Sequence, residues 1–233
     1  MNDLSMATTQ ALALLVSGDT EIWEIIFLSF SVSFRAILVA SPVAVLIAFC
    51  LSYFHFPGRR FLIALFNTAM SIPAVVVGLT LYLLLSRAGP LGDLKLLFTQ
   101  EAMIFGQIVL CFPLLVALSH VALQAVDRRA WETAITLGVH PFRAVFTVLK
   151  EARFGLIAAI IAGFGRIIAE VGSSMMVGGN ILHYTRNIPT AIALETSKGS
   201  FAQGIALGFV LLLMALLLNL FLTYVQAKGD THL

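Results

Sequence analysis

Long apolar stretches alternate with short polar segments along the whole chain of 233 residues. A helix needs about 20 predominantly apolar residues to cross the hydrocarbon core of a bilayer. Five stretches meet this length, at residues 25–54, 61–85, 102–123, 154–177 and 202–225. The pattern therefore predicts an all-α, polytopic membrane bundle with about five transmembrane helices, forming a single domain over residues 1–233.

Three of the predicted spans contain a proline, at Pro42, Pro73 and Pro113. Proline removes a backbone donor and kinks or breaks a helix. A packed bundle tolerates it because neighbouring helices satisfy the freed carbonyl groups. We therefore expect kinks at these positions.

Basic residues are unevenly divided between the two sides of the membrane that five spans create. Eight lie on the side that holds the 55–60 loop, the 124–153 loop and the C-terminal tail, and four lie on the other. Because cytoplasmic loops carry an excess of lysine and arginine, the N-terminus is predicted outside and the C-terminus inside. The 124–153 loop then becomes the largest cytoplasmic feature.

Composition narrows the class of protein further. Hydrophobic residues make up 60% of the chain and charged residues 11%, against roughly 25% charged in soluble domains. Fourteen basic residues against twelve acidic ones give no excess of positive charge, which excludes nucleic acid as a partner. The apolar composition makes membrane lipid the expected surroundings. The two cysteines lie in apolar stretches and the five histidines are scattered, so no disulfide or metal site is expected.

Motifs for nucleotide binding or nucleophilic catalysis are missing from the sequence. It contains no G-x-x-x-x-G-K-[ST] phosphate loop, no H-E-x-x-H zinc motif and no G-x-S-x-G elbow. We therefore predict no catalytic residue, no cofactor and no enzyme activity. The chain is expected to move a solute with energy supplied by another subunit.

The 124–153 loop is amphipathic and carries clear helix boundaries. Asp127 is placed to cap a helix, apolar residues including Trp131 recur at helical spacing, and Gly138 suits the left-handed position that ends it. Pro141 then fits the first turn of a second helix that continues towards the fourth span. At about 11 residues, or ~16 Å, the first helix is too short to cross a membrane, and we expect it at the membrane surface. An ordinary amphipathic loop helix is the alternative interpretation.

The fourth predicted span holds Arg166 and Glu170, which are four residues apart and therefore share a helix face. Charged groups at this depth are costly and seldom face lipid. They are candidates for lining a translocation path, together with Ser173, Ser174 and Asn180 just beyond them. A purely structural ion pair is the alternative.

The loop helix also resembles a known signature. Glu132-Thr133-Ala134, followed after three residues by Gly138, is similar to the E-A-A-x-x-x-G motif of ABC importer permeases. The motif's I-x-L-P continuation is degraded, since residues 148–151 read Val-Leu-Lys-Glu. The resemblance implies a coupling helix that docks in a groove of a cytoplasmic ATPase. It implies these coupling residues: Trp131, Glu132, Thr133, Ala134 and Gly138.

Other stretches resemble the tungstate-type permeases of the molybdate/tungstate/sulfate importer group. They read IPAVVVGLTLYLLLSRAGPLG, GFGRIIAEVGSSMMVGGNI and TAIALETSKGSFAQGIALG. The resemblance implies a permease that imports tungstate or a similar oxyanion across a bacterial or archaeal plasma membrane. It also implies three partners: a second copy of the chain, an ATPase that uses the ATP, and an extracytoplasmic substrate-binding protein.

Two other functions stay open from the residues themselves. One is a permease of the same type for molybdate, sulfate, phosphate or an amino acid, which the ligand of its binding protein distinguishes. The other is a stand-alone channel or secondary carrier, which predicts transport without ATP.

Overall fold

The computed structural model describes residues 8–11, 13 and 18–230, and every regular element in this part of the chain is helical. We number the α-helices between residues 20 and 230 as α1 to α10. Their bounds are α1 Thr20–Tyr53, α2 Arg59–Ala69, α3 Ala74–Leu85, α4 Gln100–Gln124, α5 Arg128–Thr136, α6 Pro141–Glu151, α7 Arg153–Ile168, α8 Gly172–Gly178, α9 Ile188–Lys198 and α10 Phe201–Asp230. The predicted all-α fold class is confirmed.

Three helices are long and apolar enough to cross a membrane, namely Thr20–Tyr53, Gln100–Gln124 and the Phe201–Tyr224 part of α10. They correspond to the first, third and fifth predicted spans. At 34 residues, α1 is about 51 Å long and exceeds the ~30 Å hydrocarbon core. Part of α1 therefore extends beyond the hydrocarbon core or is accommodated by tilting.

The second and fourth predicted spans are not single helices but bent pairs. The second consists of α2 and α3, separated by residues 70–73, and the fourth consists of α7 and α8, separated by residues 169–171. Pro73 explains the first break, because proline lacks an N–H and disfavours helical geometry at the residue before it. Pro42 and Pro113 lie inside the helices α1 and α4. Counting each bent pair as one span gives five.

Two sets of residues each form a compact unit. The first unit takes its described residues from the ranges up to Ala36, Ile72–Leu110 and Gly165–Leu217. Its core contains two apolar clusters, one of which includes Val77 of α3 and Val177 of α8. Helices α3 and α8 approach closely, because a Cβ on Gly78 would lie 2.8 Å from the Ser173 Cα.

The second unit comprises Ile37–Ser71, Cys111–Phe164 and the residues from Leu218 onward. Its core is a cluster of buried side chains from the end of α1, the end of α4, and α6 and α7. Trp131 of α5 packs against this cluster. The amphipathic loop is therefore built into the second unit through its own apolar side chains.

Candidate functional sites: the amphipathic helix pair and the broken fourth span

The predicted amphipathic segment folds as two short helices, α5 and α6, which pack against each other. The Asp127 carboxylate caps α5 by accepting a hydrogen bond from the Arg129 N–H at 2.9 Å. Gly138 has a φ of 78°, and Pro141 occupies the first turn of α6, both as predicted. A Cβ on Gly138 would meet nothing within 4 Å, so the positive φ alone makes glycine the favoured residue.

Trp131 lies half-buried on the inner side of α5. Its ring centroid is 5.6 Å from that of Phe49 and 5.5 Å from that of Tyr53. Glu132 and Thr133 are exposed on the same helix. This placement favours an anchoring role for Trp131 within its own chain over the surface contact that the sequence alone led us to expect.

The helix pair also carries an exposed apolar surface that the sequence analysis missed. Leu137, Phe142 and Phe146 have 77%, 74% and 68% of their surface exposed. Phe142 and Phe146 are four residues apart and share one face of α6. Ala144 and Val148, on the opposite face, are buried. The sequence signal is that α6 has apolar residues on two opposite faces. One internal core can bury only one of these faces, so the other is left exposed.

In the fourth span, Glu170 joins the end of α7 to the start of α8. Its Oε2 accepts a hydrogen bond from Arg166 Nη1 at 2.8 Å, and its Oε1 accepts one from the Gly172 N–H at 2.9 Å. The Glu170 side chain is 9% exposed and the Arg166 side chain 45%. The two residues form the ion pair that the sequence left open as the alternative to a translocation path, but Glu170 lies in the break rather than within the helix. A buried carboxylate needs such compensation because an unpaired buried charge is costly.

Polar side chains surround the break between α7 and α8. Nε2 of Gln107, on α4, donates to the Ile167 carbonyl oxygen at 3.4 Å. Ser173 and Ser174 are each 1% exposed, and their hydroxyl groups have no hydrogen-bond partner in the part of the chain that the structure describes. Both serines therefore lie in the interior rather than along an open path. Gln107 was missed, although a lone amide in an apolar span is a recognisable signal.

Asn180 lies in a tight loop beyond α8. It has a φ of 52°, and its Nδ2 donates to the Thr190 carbonyl oxygen at 3.3 Å. The buried Thr185 hydroxyl accepts from the Ile181 N–H at 2.9 Å and donates to the Gly178 carbonyl oxygen at 2.6 Å. In this structure Asn180 closes a loop and does not join the ion pair of the fourth span.

Helix α9 follows this loop and was not predicted. Asn187 and Thr190 form a capping box, and Pro189 lies in the first turn. The Ile188 N–H donates to the Ser29 hydroxyl oxygen at 2.6 Å, which ties the start of α9 to α1. Asparagine followed closely by proline is a helix-start signal that could have identified this element.

A charged cleft of about 660 Å³ opens beside the start of α1 in the first unit. Its walls hold a hydrogen bond between His183 Nδ1 and Glu24 Oε2 at 2.5 Å and an ion pair between Arg186 and Glu21 at 3.4 Å. Arg35 also lines the cleft, and its Nη2 donates to Gln100 Oε1 at 3.1 Å. Among the described residues no carboxylate forms an ion pair with Arg35, although Glu21 and Glu24 line the same cleft. No local sequence pattern brings the residues of this cluster together.

Several apolar helices, two of the spans broken, and a capped amphipathic helix pair define a multi-pass membrane subunit of the transport type. Residues 40–229 match the family described as binding-protein-dependent transport system inner membrane component. The chain belongs to this family, whose members are permeases of ABC importers. The predicted class of protein and its membrane location are thereby confirmed. Membership implies an ATPase and a substrate-binding protein as partners.

Three comparisons show what the chain is similar to. It is 41% identical to the tungstate uptake system permease protein TupB of Campylobacter jejuni, over 92% of this chain and 90% of that protein. It is 39% identical to a probable anion ABC transporter permease protein of Haloferax volcanii, over 86% and 88%. The fold is similar to the MetNI methionine ABC transporter in inward-facing conformations, with a TM-score of 0.60, 20% identity and 94% of each chain covered.

Proposed function

We propose that this chain is the permease subunit of an ABC importer that carries tungstate. The observation that carries the proposal is the similarity to tungstate uptake permeases of two organisms, at 41% for Campylobacter jejuni and 37% for Peptoclostridium acidaminophilum. The molybdenum transport system permease ModB of Escherichia coli is 30% identical over 73% of the chain. Tungstate is therefore favoured over molybdate as the cargo.

The helix pair α5 and α6 is the proposed contact with the ATPase. Leu137, Phe142 and Phe146 form an apolar docking face on it, beside the exposed Glu132 and Thr133. Covering one such side chain is worth about 1.5–3 kcal/mol relative to leaving it in water. A partner that buries this face therefore gains binding energy there.

Trp131 and Gly138 of the coupling set support this face through packing and through the turn between α5 and α6. Trp131 anchors α5 to the end of α1 through Phe49 and Tyr53. Gly138 makes the tight turn between the two helices, and Ala134 holds the small position that the E-A-A resemblance requires. A displacement of the docking face is then transmitted to α1 through these packing contacts.

The translocation path is proposed to include Arg166, whose side chain is 45% exposed while Glu170 holds it. The remaining guanidinium donors suit a tetrahedral dianion, and a single half-neutralised arginine binds weakly enough to release it. Ser173, Ser174 and Asn180 reach the path only if α8 and the loop after it move during the transport cycle. Two copies of the chain would enclose the path.

In this scheme the chain performs no chemistry and binds no resident cofactor. ATP is hydrolysed by the partner ATPase, and high-affinity capture of the anion is left to the binding protein. Such a passive role agrees with the small number of ionisable groups near the fourth-span break, where Arg166 and Glu170 pair with each other.

The test is reconstitution of the chain with its ATPase and its binding protein in proteoliposomes. We expect ATP-dependent uptake of tungstate, measured by elemental mass spectrometry, with molybdate, sulfate and phosphate as competitors. Efficient competition by molybdate at equal concentration would make the cargo a broader oxyanion class. Uptake without ATP would contradict the importer assignment and support a stand-alone channel or carrier.

A further inference from the structure

The second unit contains a basic cleft of about 420 Å³ where α1 and α4 end. Ser52 and His55 line one side, Arg59 lies at the start of α2, and Gln124 and Arg128 complete the rim. Three of the lining side chains are basic or can become so, and none of the lining residues is acidic. The cleft is therefore suited to an anionic group.

The two arginines of the cleft keep most of their donors for a ligand. Arg59 Nε donates to the Leu51 carbonyl oxygen at 2.5 Å, which positions its guanidinium at the end of α1. Arg128 Nε lies 3.9 Å from Glu132 Oε1, and both side chains are more than half exposed. An exposed pair at this distance contributes little. Among the described residues no partner is seen for the terminal amino groups of these two guanidinium groups, which can therefore form a bidentate contact with an oxyanion.

The surroundings of the cleft indicate the source of that anion. Phe54, Phe56 and Phe61 are 49%, 39% and 70% exposed and lie in the segment that leads into and begins α2. Helix α2 contains no buried residue. Exposed aromatic rings next to arginines are typical of segments at the membrane–water interface. A cleft in such a segment is expected at the level of the lipid headgroups.

We propose that this cleft binds the phosphate group of an anionic phospholipid from the leaflet that we expect to be cytoplasmic. Arg59 and Arg128 contact the phosphate, and the exposed aromatic rings pack along the acyl chains. Arg128 is the first residue of α5. A bound headgroup therefore ties the start of the coupling helix to the ends of α1 and α4. An influence on ATPase coupling rests on the proposed function, whereas lipid binding itself does not.

Adjacent arginines supply matched controls. Arg59 and Arg128 line the cleft, while their neighbours Arg60 and Arg129 are exposed and do not. The experiment uses the full permease–ATPase complex in nanodiscs of phosphatidylcholine with increasing phosphatidylglycerol. Native mass spectrometry counts the phosphatidylglycerol that stays bound after transfer to detergent. Arg59→Gln and Arg128→Gln should each lower retention about tenfold, because each variant loses a charge-assisted hydrogen bond to the phosphate. Arg60→Gln and Arg129→Gln should change it much less.

Three results would overturn the proposal. Equal losses of lipid retention in all four variants would show a general attraction between basic residues and anionic lipid, and not a binding site. Displacement of the bound lipid by inorganic phosphate or tungstate at low concentration would make the cleft a free-oxyanion site. Loss of ATPase co-purification from Arg128→Gln with unchanged lipid retention would assign the cleft to the ATPase contact.

Two further measurements keep these outcomes separate from folding and from the transport assignment. Arg59→Gln also removes the contact with the Leu51 carbonyl oxygen, so Arg59→Lys serves as a charge-preserving control for folding. If Arg59→Gln does not fold, the Arg128→Gln and Arg129→Gln pair carries the comparison. Lipid retention is measured without any transported anion. A failure of tungstate transport therefore leaves this test intact.

Discussion

Glu170 forms hydrogen bonds with residues on both sides of the break between α7 and α8, whereas its partner Arg166 lies on the α7 side. The carboxylate accepts from Arg166 Nη1 at 2.8 Å and from the Gly172 N–H at 2.9 Å. The two partners of this ion pair are therefore not equivalent. Removing the acid releases the start of α8 as well as the arginine, whereas removing the arginine leaves the backbone contact in place.

This asymmetry predicts the order of stability among variants of the pair. Glu170→Ala should destabilise the solubilised complex by about 1–3 kcal/mol, because a charge-assisted and a backbone hydrogen bond are both lost while the half-exposed Arg166 can still be solvated. Arg166→Ala should cost more, because it leaves the buried Glu170 carboxylate without its cation, and the double variant should cost less than the sum because that stranded charge is gone. Thermal unfolding monitored by fluorescence measures the order.

Transport by the same variants separates a structural role from a path role. Arg166→Ala should abolish tungstate uptake even where the complex assembles, because the arginine is proposed to meet the anion. The exchanged pair, Arg166→Glu with Glu170→Arg, should recover assembly but not uptake. Normal uptake by an assembled Arg166→Ala complex would contradict a place for Arg166 in the path.

Gly138 provides a backbone test of the coupling turn. Gly138→Val should lower ATPase co-purification and coupled transport, because a side chain at φ 78° costs about 1–2 kcal/mol. Gly138→Asn is the matched control, since asparagine tolerates the left-handed region. The space around the Cβ position is empty, so side-chain volume should have no effect. An equal loss in both variants would point to a cause other than φ.

Variants in α5 and α6 should distinguish residues that anchor the helix pair to its own chain from residues that contact the ATPase. Trp131→Ala should lower thermal stability, by about 1–3 kcal/mol, because it empties part of the cluster with Phe49 and Tyr53. Phe142→Ser and Phe146→Ser should leave the stability of the isolated permease unchanged and weaken ATPase co-purification. Glu132→Ala should weaken it mildly, since an exposed charge contributes only about 0–1 kcal/mol. The reverse pattern would place Trp131 on the contact surface.

The close approach of α3 and α8 makes Gly78 a packing position. Gly78→Ala should destabilise the complex by about 1–3 kcal/mol, because the new Cβ would lie 2.8 Å from the Ser173 Cα. Gly165→Ala is the matched control, since a Cβ there meets nothing within 4 Å. The melting temperatures of the two variants give the comparison. Equal values would show that the helices can separate without cost.

Membrane orientation follows from the charge asymmetry and can be tested by labelling. In a background with Cys50 replaced by serine, introduced cysteines at exposed positions 10, 93 and 184 should react with an impermeant reagent from outside. A cysteine at position 128 should react only after the membrane is opened. Labelling of position 128 from outside would reverse the predicted topology.

The sequence alone determined those features that depend on short-range chemistry. The all-α membrane class and the positions of the five apolar stretches follow from local hydropathy. Helix α5 begins after the capping side chain of Asp127 and ends before Gly138, which has no Cβ atom. The E-A-A resemblance also rests on neighbouring residues. Even the break before α3 has a local cause in Pro73, although we had expected only a kink there.

Tertiary structure decided which side chains meet when the chain brings distant segments together. Trp131 reached the interior because Phe49 and Tyr53 lie beside it, and no local pattern distinguishes an inward from an outward tryptophan. Ser173 became buried because Gly78 lets α3 approach it. Arg59 and Arg128 line one cleft although 69 positions separate them in the chain. Periodicity specifies the face of a helix, but only packing specifies what that face contacts.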